Sequence, residues 1–387
     1  MVLMRLKSPL RSKKKLLKNN NKLYYLIVGE SSGDLHAFHL MKAIKKLDPA
    51  ITFRGIGGEK MKSLGLKSIA PFNRLAVMGF VEVLKDLLFF INLKKKIIND
   101  IKKFKPEKII LVDYPGFNLS LAKDLKKTLK IPIIYYISPQ VWAWKESRVY
   151  KIEKYVDKLL VLFPFEVSWY KKRGVDVKYF GHPLIDINPK PKTSQKQPNT
   201  IALFPGSRDQ EIKKHLPILK KTITYLKSIN ESFSFLLCLA PEVNIKKLKG
   251  FIDSTNVSVT TSSNEAFQKS SAAIIASGTA TLEAAIAQTP TVVIYKTSII
   301  SWIIAKYFLS LKFVSMVNIL ANKEVFKELL QRDAQPEKIA NEVVLSLKNS
   351  EEIINKLSKI TKNLGQGSAY SQAAQFIIKY QHYVYKN

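Results

Sequence analysis

Short apolar runs alternate with longer amphipathic stretches along this chain, and the alternation runs twice, with one polar, proline-rich break between. Runs at 23–28, 108–112, 131–136 and 158–162 have the length and continuous apolar character of strands buried on both faces. The stretches 37–47, 119–129 and 147–155 between them have helical spacing. Such alternation builds βαβ units and a parallel sheet covered on both sides. The break at 186–200 holds Asn188-Pro189-Lys190-Pro191-Lys192 and a second polar stretch at 195–199, a composition that builds no core and reads as a linker. Alternation then resumes, with strands at 201–204, 235–239, 257–260, 272–275 and 291–295 and helices at 211–227, 281–287 and 336–347.

A chain of 387 residues also exceeds the ~100–200 residues of one ordinary domain. The expected fold class is α/β, with two Rossmann-like domains facing across a cleft. The expected division is a basic arm at 1–22, a first domain at 23–186, a linker at 187–200 and a second domain at 201–365. A C-terminal helix at 366–387 can pack back on the first domain. Open sheets of this kind bind ligands at the carboxyl ends of their strands, so the cleft is the expected active site.

The net charge of +33 favours a polyanionic partner, whether nucleic acid, anionic lipid or a phosphorylated substrate, although a lysine-rich solvated surface accounts for part of it. No zinc-finger spacing, RNP motif or helix-turn-helix signature supports nucleic acid, and none is expected as a partner. The first 22 residues carry Arg5, Lys7, Arg11, Lys13, Lys14, Lys15, Lys18 and Lys22 with no acidic residue and no apolar core of a secretory signal, which reads as a disordered basic arm. No uncharged apolar run reaches the ~18 residues of a membrane span, so a soluble or peripheral protein is expected. The one cysteine, Cys238, lies in the apolar run 235–239 and excludes a disulfide framework or a multi-cysteine zinc site.

Each strand end worth attention carries a polar loop. The first strand runs into Gly29-Glu30-Ser31-Ser32-Gly33-Asp34, small residues leading into a helix, where backbone N–H groups can approach a ligand. A tight turn with Ser32 or Asp34 as N-cap explains the same spacing. After Val112 comes Asp113-Tyr114-Pro115-Gly116-Phe117-Asn118, in which Asp113 is a candidate general base, or else a loop-stabilising carboxylate. Ser138-Pro139-Gln140-Val141-Trp142-Ala143-Trp144 offers aromatic faces for a sugar or an acyl chain, or merely a cover for the core edge. His182 stands where the first half closes, and packing is its more ordinary role.

In the second half, Pro205-Gly206-Ser207-Arg208 follows a strand and precedes a helix, with arginine offering a planar fork to phosphate oxygens. Ser277-Gly278-Thr279-Ala280-Thr281-Leu282-Glu283 repeats that geometry, its helix N-terminus suited to a diphosphate and Glu283 to ribose hydroxyls or to capping. No Asp-x-Asp motif accompanies these loops, so neither a metal nor a cofactor is expected.

Residues 80–98 place Phe80, Val83, Leu84, Leu87, Leu88 and Ile91 on one helical face, followed at once by Lys94, Lys95 and Lys96. A broad apolar face beside lysines suits an anionic bilayer or an acyl chain as well as it suits a core. Met78 and Phe80 extend the same candidate acyl contact, and Trp302 belongs to a second aromatic–lysine stretch at 299–313.

Together these motifs resemble the lipid-A-disaccharide synthase family, inverting transferases of the glycosyltransferase-B fold. The resemblance covers residues 24–331 and is carried most specifically by Leu75-Ala76-Val77-Met78-Gly79-Phe80 and the Ser138–Trp144 segment. Leu162-Phe163-Pro164-Phe165-Glu166, Val314-Ser315-Met316-Val317-Asn318 and Lys327-Glu328-Leu329-Leu330-Gln331 extend it. It implies transfer of the sugar of UDP-2,3-diacylglucosamine to 2,3-diacylglucosamine 1-phosphate, giving a β-1,6 disaccharide phosphate and UDP, on the cytoplasmic face of the inner membrane of a Gram-negative cell. It places the essential aspartate at Asp113, the essential arginine at Arg208, and Asn318 and Gln331 in the substrate set. Many relatives carry a second aspartate where Gly116 stands; its absence leaves Asp113 the only carboxylate of its loop and argues against a two-carboxylate scheme. A sister transferase with a different lipid-linked acceptor, a nucleic-acid binder and an inactive lipid scaffold are the competing readings.

Overall fold

The computed structural model describes residues 22–72, 75, 87–143, 145–188, 196–241, 243–297 and 312–380. Two parallel sheets organise them. The first contains β1 (Leu23–Val28), β2 (Thr52–Ile56), β3 (Leu66–Ser68), β4 (Lys108–Val112), β5 (Ile133–Tyr136), β6 (Lys158–Val161) and β7 (Val177–Tyr179), in the order β3-β2-β1-β4-β5-β6-β7. The second contains β8 (Gln197–Phe204), β9 (Ser234–Cys238), β10 (Ser258–Thr260), β11 (Ser270–Ala276), β12 (Thr291–Tyr295) and β13 (Lys327–Leu330), in the order β10-β9-β8-β11-β12-β13. This is the α/β class expected from the alternation.

Strand periodicity sends neighbouring residues to opposite faces, and both faces are covered by helices. Tyr25, Ile27, Ile109, Leu111, Ile133 and Tyr135 enter one core, while Tyr24, Leu26, Val28, Ile110, Val112, Ile134 and Tyr136 enter the other. Unbroken apolar runs follow from that double burial. In the second sheet, Ile201 and Leu203 likewise part from Ala202 and Phe204.

Strands β2, β3, β7 and β13 are additional to the sequence-based set. They are short or carry charge that tertiary partners absorb. In β2, Arg54 donates to both carboxylate oxygens of Asp100, at 2.6 and 2.7 Å, and stacks 3.8 Å above the Phe104 ring.

The linker expected at 187–200 is shorter than its composition suggested, because β8 already begins at Gln197. There Thr200 is buried, and its hydroxyl lies 2.8 Å from that of Ser234 on β9. Residues 189–195 lie outside the described residues, as does the basic arm except Lys22, which pairs with Asp48.

In both sheets the strand order reverses between two central strands, β1 and β4 in the first, β8 and β11 in the second. Loops leaving such neighbours depart to opposite faces and open a crevice at their carboxyl ends. The registers Val28↔Val112 and Phe204↔Ile275 set Gly29 beside Asp113 and Gly206 near Ser277.

The halves are joined by packing as well as by chain. Phe163, just past β6, and Leu184 belong to the second domain's cluster with Ala284, Ala285, Leu357 and Leu364. The chain returns at Gly365, whose φ of 113° and close approach to Gly181 leave no room for a side chain; an added Cβ would stand 3.0 Å from the Gly181 Cα. His182 N–H donates to the Leu364 carbonyl at 2.7 Å beside this crossing. The last described helix, Ala369–Lys379, then buries Tyr370, Ala373, Ala374 and Ile377 in the first domain's core, its start capped by Asp186 at 3.1 and 3.0 Å.

Candidate active site

At the first reversal, Asp113 and Tyr114 both adopt left-handed backbone, with φ of 46° and 51°. Non-glycine residues avoid this region, so the surroundings must impose it. Two groups do: Asn118 Nδ2 donates to the Asp113 carbonyl at 2.7 Å, and the Tyr135 hydroxyl donates to the same carbonyl at 2.5 Å. The Tyr114 ring is thereby laid against Gly29, where an added Cβ would meet ring carbon at 2.4 Å. Gly29 is therefore a steric requirement of the loop next door. Asn118 and Tyr135 carry no motif signal for this role, because it depends on register across two strands.

Burial, followed by the negative charge of Glu30, pushes the Asp113 carboxyl up to about 7, partly opposed by the Tyr114 N–H. Asp113 remains the only carboxylate of its loop, and the charge that bears on it comes from Glu30 beyond the end of the neighbouring strand β1. Glu30, half-buried at the start of the helix Ser31–Leu47, makes no capping hydrogen bond, and Ser31 and Ser32 are exposed in its first turn.

Asp34 and Gly33 are corrections. The Asp34 carboxylate is buried and accepts the N–H groups of Gly58 (2.7 Å) and Lys60 (3.3 Å), fastening the start of the helix Glu59–Ser63. Gly33 lets its helix close on β1, since a Cβ would lie 2.9 Å from Val28 Cγ1. Both serve the packing of the fold.

Glu166 organises the tryptophan loop. One of its oxygens accepts from Ser138 Oγ (2.8 Å) and Trp142 Nε1 (3.0 Å), and the other from the N–H groups of Leu162 and Phe163, each at 2.9 Å. Trp142 meets Phe165 edge-on at 4.9 Å. Trp144 lies outside the described residues. His182 is a packed cap: Nδ1 accepts the Leu184 N–H, and burial pushes its pKa down to about 3.

At the second reversal, Gly206 has φ 112°, and Glu211 Oε2 fills the space where its Cβ would project, at 2.6 Å. That oxygen accepts the Ser207 and Arg208 N–H groups at 3.1 and 3.3 Å. The Arg208 side chain is 76% exposed, with Nη1 3.2 Å from Glu211 Oε1. A phosphate at this loop therefore meets the guanidinium and the Ser207 hydroxyl first, with the backbone donors already held by Glu211.

Ser277, Gly278 and Thr279 lead into the helix Ala280–Ile286, Gly278 and Thr279 exposed. Thr281 departs from expectation. It is fully buried, and its hydroxyl donates to the Gly278 carbonyl at 2.8 Å, serving the turn instead of a ligand. Glu283 accepts Ser263 Oγ at 2.5 Å, and burial raises its carboxyl above the usual range.

Asn318 is also corrected. It is fully buried: its amide donates to the Phe326 carbonyl and to Glu328, and its oxygen accepts the Val325 and Phe326 N–H groups, at 2.8 to 2.9 Å. It bolts the helix Met316–Ala321 to the approach of β13. Gln331, left-handed at φ 53°, accepts the Thr297 N–H at 3.4 Å and keeps a buried Nε2 without a partner among the described residues.

The helix Leu87–Phe104 buries Phe90, Leu93, Ile97 and Ile101 and exposes Leu87, Leu88 (76%) and Ile91 beside exposed Lys95 and Lys96. Lys94 is committed elsewhere, to Asp124 at 2.8 Å and Ser120. Met78, Phe80, Leu84 and Trp302 fall outside the described residues.

The family model described as lipid-A-disaccharide synthetase matches residues 24–379, a span that includes both strand-order reversals and the returning C-terminal helix. The chain belongs to this family. It is 39% identical over 365 residues to lipid-A-disaccharide synthase 1 of Legionella pneumophila (strain Paris), covering 89% of this chain and 94% of that one. Against the lipid-A-disaccharide synthase of Coxiella burnetii (strain CbuG_Q212) it is 37% identical over 371 residues, covering 92% and 98%. Its activity is that of a lipid-A-disaccharide synthase, in lipid A biosynthesis. Among solved structures, Acinetobacter baumannii MurG aligns with a TM-score of 0.59 at 12% identity, over 93% of this chain and all of that one. S. aureus MnaA, solved with UDP, aligns at 0.64 and 13% identity, over 92% and 96%. At such identities the likeness is one of fold, the glycosyltransferase-B arrangement.

Proposed function

We propose that the chain transfers the sugar of UDP-2,3-diacylglucosamine to the 6-hydroxyl of 2,3-diacylglucosamine 1-phosphate, using groups at its two strand-order reversals. The acceptor oxygen attacks the anomeric carbon, the bond from that carbon to the UDP oxygen breaks with inversion, and the hydroxyl proton passes to the Asp113 carboxylate. A carboxyl poised near 7 supports that role: it is substantially ionised at neutral pH and basic enough to hold the proton it receives. This is the observation that carries the assignment. Glu30 raises its basicity and remains beside the acceptor, whose approach also involves Ser31 and Ser32.

The departing UDP gains charge, and the exposed Arg208 guanidinium, the Ser207 hydroxyl and the donors of Ser277–Thr279 are the groups that meet it. Glu283 is assigned to the ribose hydroxyls. The unpaired Nε2 of Gln331 is assigned to an acceptor oxygen of the donor substrate, since a buried amide donor without a partner costs stability that a ligand can restore.

Both substrates carry acyl chains, so the enzyme must work at a membrane surface. No helix among the described residues is long and apolar enough to cross a membrane. Leu87, Leu88 and Ile91 with Lys95 and Lys96 form the docking edge, apolar groups entering an anionic cytoplasmic leaflet while lysines hold its head groups.

Incubation with both substrates followed by mass analysis of the lipid product tests the assignment. A product of two acylated glucosamines bearing one phosphate is expected, with UDP released in equal amount. Release of UDP without a disaccharide, or a different acceptor being glycosylated, would overturn it.

A further inference from the structure

The helix that follows the Pro205–Arg208 loop, Asp209–Ile229, turns a histidine back toward the carboxyl edge of the second sheet. His215 is fully buried, and both ring nitrogens are engaged. Nδ1 lies 2.8 Å from the Pro205 carbonyl oxygen, and Nε2 accepts the Lys296 N–H at 2.9 Å. A carbonyl can only accept and a backbone N–H can only donate, so the partners dictate the tautomer: the proton sits on Nδ1 and the ring is neutral.

The two partners belong to different strands. Pro205 directly follows β8 and Lys296 directly follows β12, and β11, whose loop begins at Ser277, lies between those strands in the sheet. The Ser277 N–H is in turn tied to the Ile294 carbonyl at 3.0 Å, and Gln331 holds the next residue, Thr297. One imidazole thus spans the rim of the second crevice, and it does so from behind the loop that carries Arg208.

We propose that His215 is a positioning residue of the donor-nucleotide site, a neutral strut that holds the Arg208 loop at a set distance from the end of β12 across the Ser277 loop. It touches no reacting atom. The inference rests on the assignment of this edge to UDP.

Protonation at Nε2 would set N–H against the Lys296 N–H and break one end of the strut. Burial keeps the imidazole pKa below its ordinary value, and of the charges around it Glu211 on its own helix opposes this while Lys214, on that helix, and Lys296, from β12, reinforce it. The Tyr295 ring packs 5.8 Å away. The sign is therefore set: the strut is intact at neutral and alkaline pH and fails as pH falls through the histidine's lowered pKa.

UDP affinity measured by titration calorimetry from pH 8 down to the lowest pH at which thermal unfolding of the same samples shows the fold intact tests the inference in wild type, His215→Ala and His215→Asn. Asn places an amide donor near the Nδ1 position and carries no titrating group. At pH 8, H215A should bind UDP about tenfold more weakly, the scale of one lost buried hydrogen bond, and H215N, which keeps the Pro205 end and leaves the Lys296 N–H without its acceptor, should recover only part of the loss. As pH falls through the lowered histidine pKa, wild type keeps only the Pro205 end and its advantage over H215N should shrink; UDP's own titration is common to both and cancels in the ratio. A folded H215A that binds UDP within twofold of wild type would overturn the strut. So would wild type and H215N sharing one pH dependence, a comparison that decides even if H215A fails to fold. A wild-type protein that binds no UDP at pH 8 would instead overturn the assignment of the edge, and the strut with it.

Discussion

The negative charge of Glu30 at the end of β1 bears on Asp113 at the end of β4, and together with burial it holds the Asp113 carboxyl near neutrality. Two strands paired in parallel, Val28 beside Val112, bring the carboxylates into one crevice from positions far apart in sequence.

Turnover should follow the ionised form of Asp113. The plot of kcat/KM against pH should rise through about 7 and level off above it, and Asp113→Asn should lower kcat about 10²–10⁴-fold with UDP affinity nearly unchanged. Linkage gives a second readout. A carboxyl with a raised folded pKa burdens the fold above that pKa and not below the unfolded value. D113N should therefore be the more stable protein at pH 8, by at most about 4 kcal/mol, with the advantage fading as pH falls toward 4. Thermal unfolding at both pH values checks it.

Gly29→Ala tests the packing of the Asp113 loop. The added Cβ would stand 2.4 Å from the Tyr114 ring, so the ring or the left-handed loop must move. A loss of about 1–3 kcal/mol in denaturant unfolding is expected, with activity falling further than stability accounts for.

Arg208 is exposed, and the fold makes little use of it. Arg208→Ala should leave unfolding within about 0.5 kcal/mol of wild type while lowering turnover about 10²-fold and weakening UDP binding. Steady-state kinetics and calorimetry separate the two effects.

Glu166→Gln should behave in the opposite way. The carboxylate accepts four donors, and an amide must turn an NH2 toward some of them. A cost of about 2–4 kcal/mol is expected, with altered near-ultraviolet dichroism as Trp142 loses its tether.

The exposed end of the helix Leu87–Phe104 predicts salt-sensitive docking. Vesicles containing anionic lipid should bind the protein at low ionic strength and release much of it at 0.5 M salt. Leu88→Glu should weaken sedimentation with vesicles more than Lys95→Gln, without lowering the melting temperature, since Leu88 already faces solvent.

The amino-acid sequence alone determined the class of fold and marked the polar loops at its strand ends. Strands buried on both faces must be apolar throughout, so β1, β4 and β8 stand out; functional loops leave strand ends, so the glycine-, serine- and aspartate-bearing segments after them do too. Which polar residue in a loop keeps its hydrogen-bonding atoms free of the fold was decided only in three dimensions. Asp34, Thr281 and Asn318 look as suitable as Asp113, yet each has its hydrogen-bonding atoms taken by groups that folding brings alongside. The near-neutral carboxyl of Asp113, the Glu166 clasp and the His215 span arise from groups on different strands and helices. Local periodicity carries no record of such pairings, because they exist only once the sheets have set their order and register.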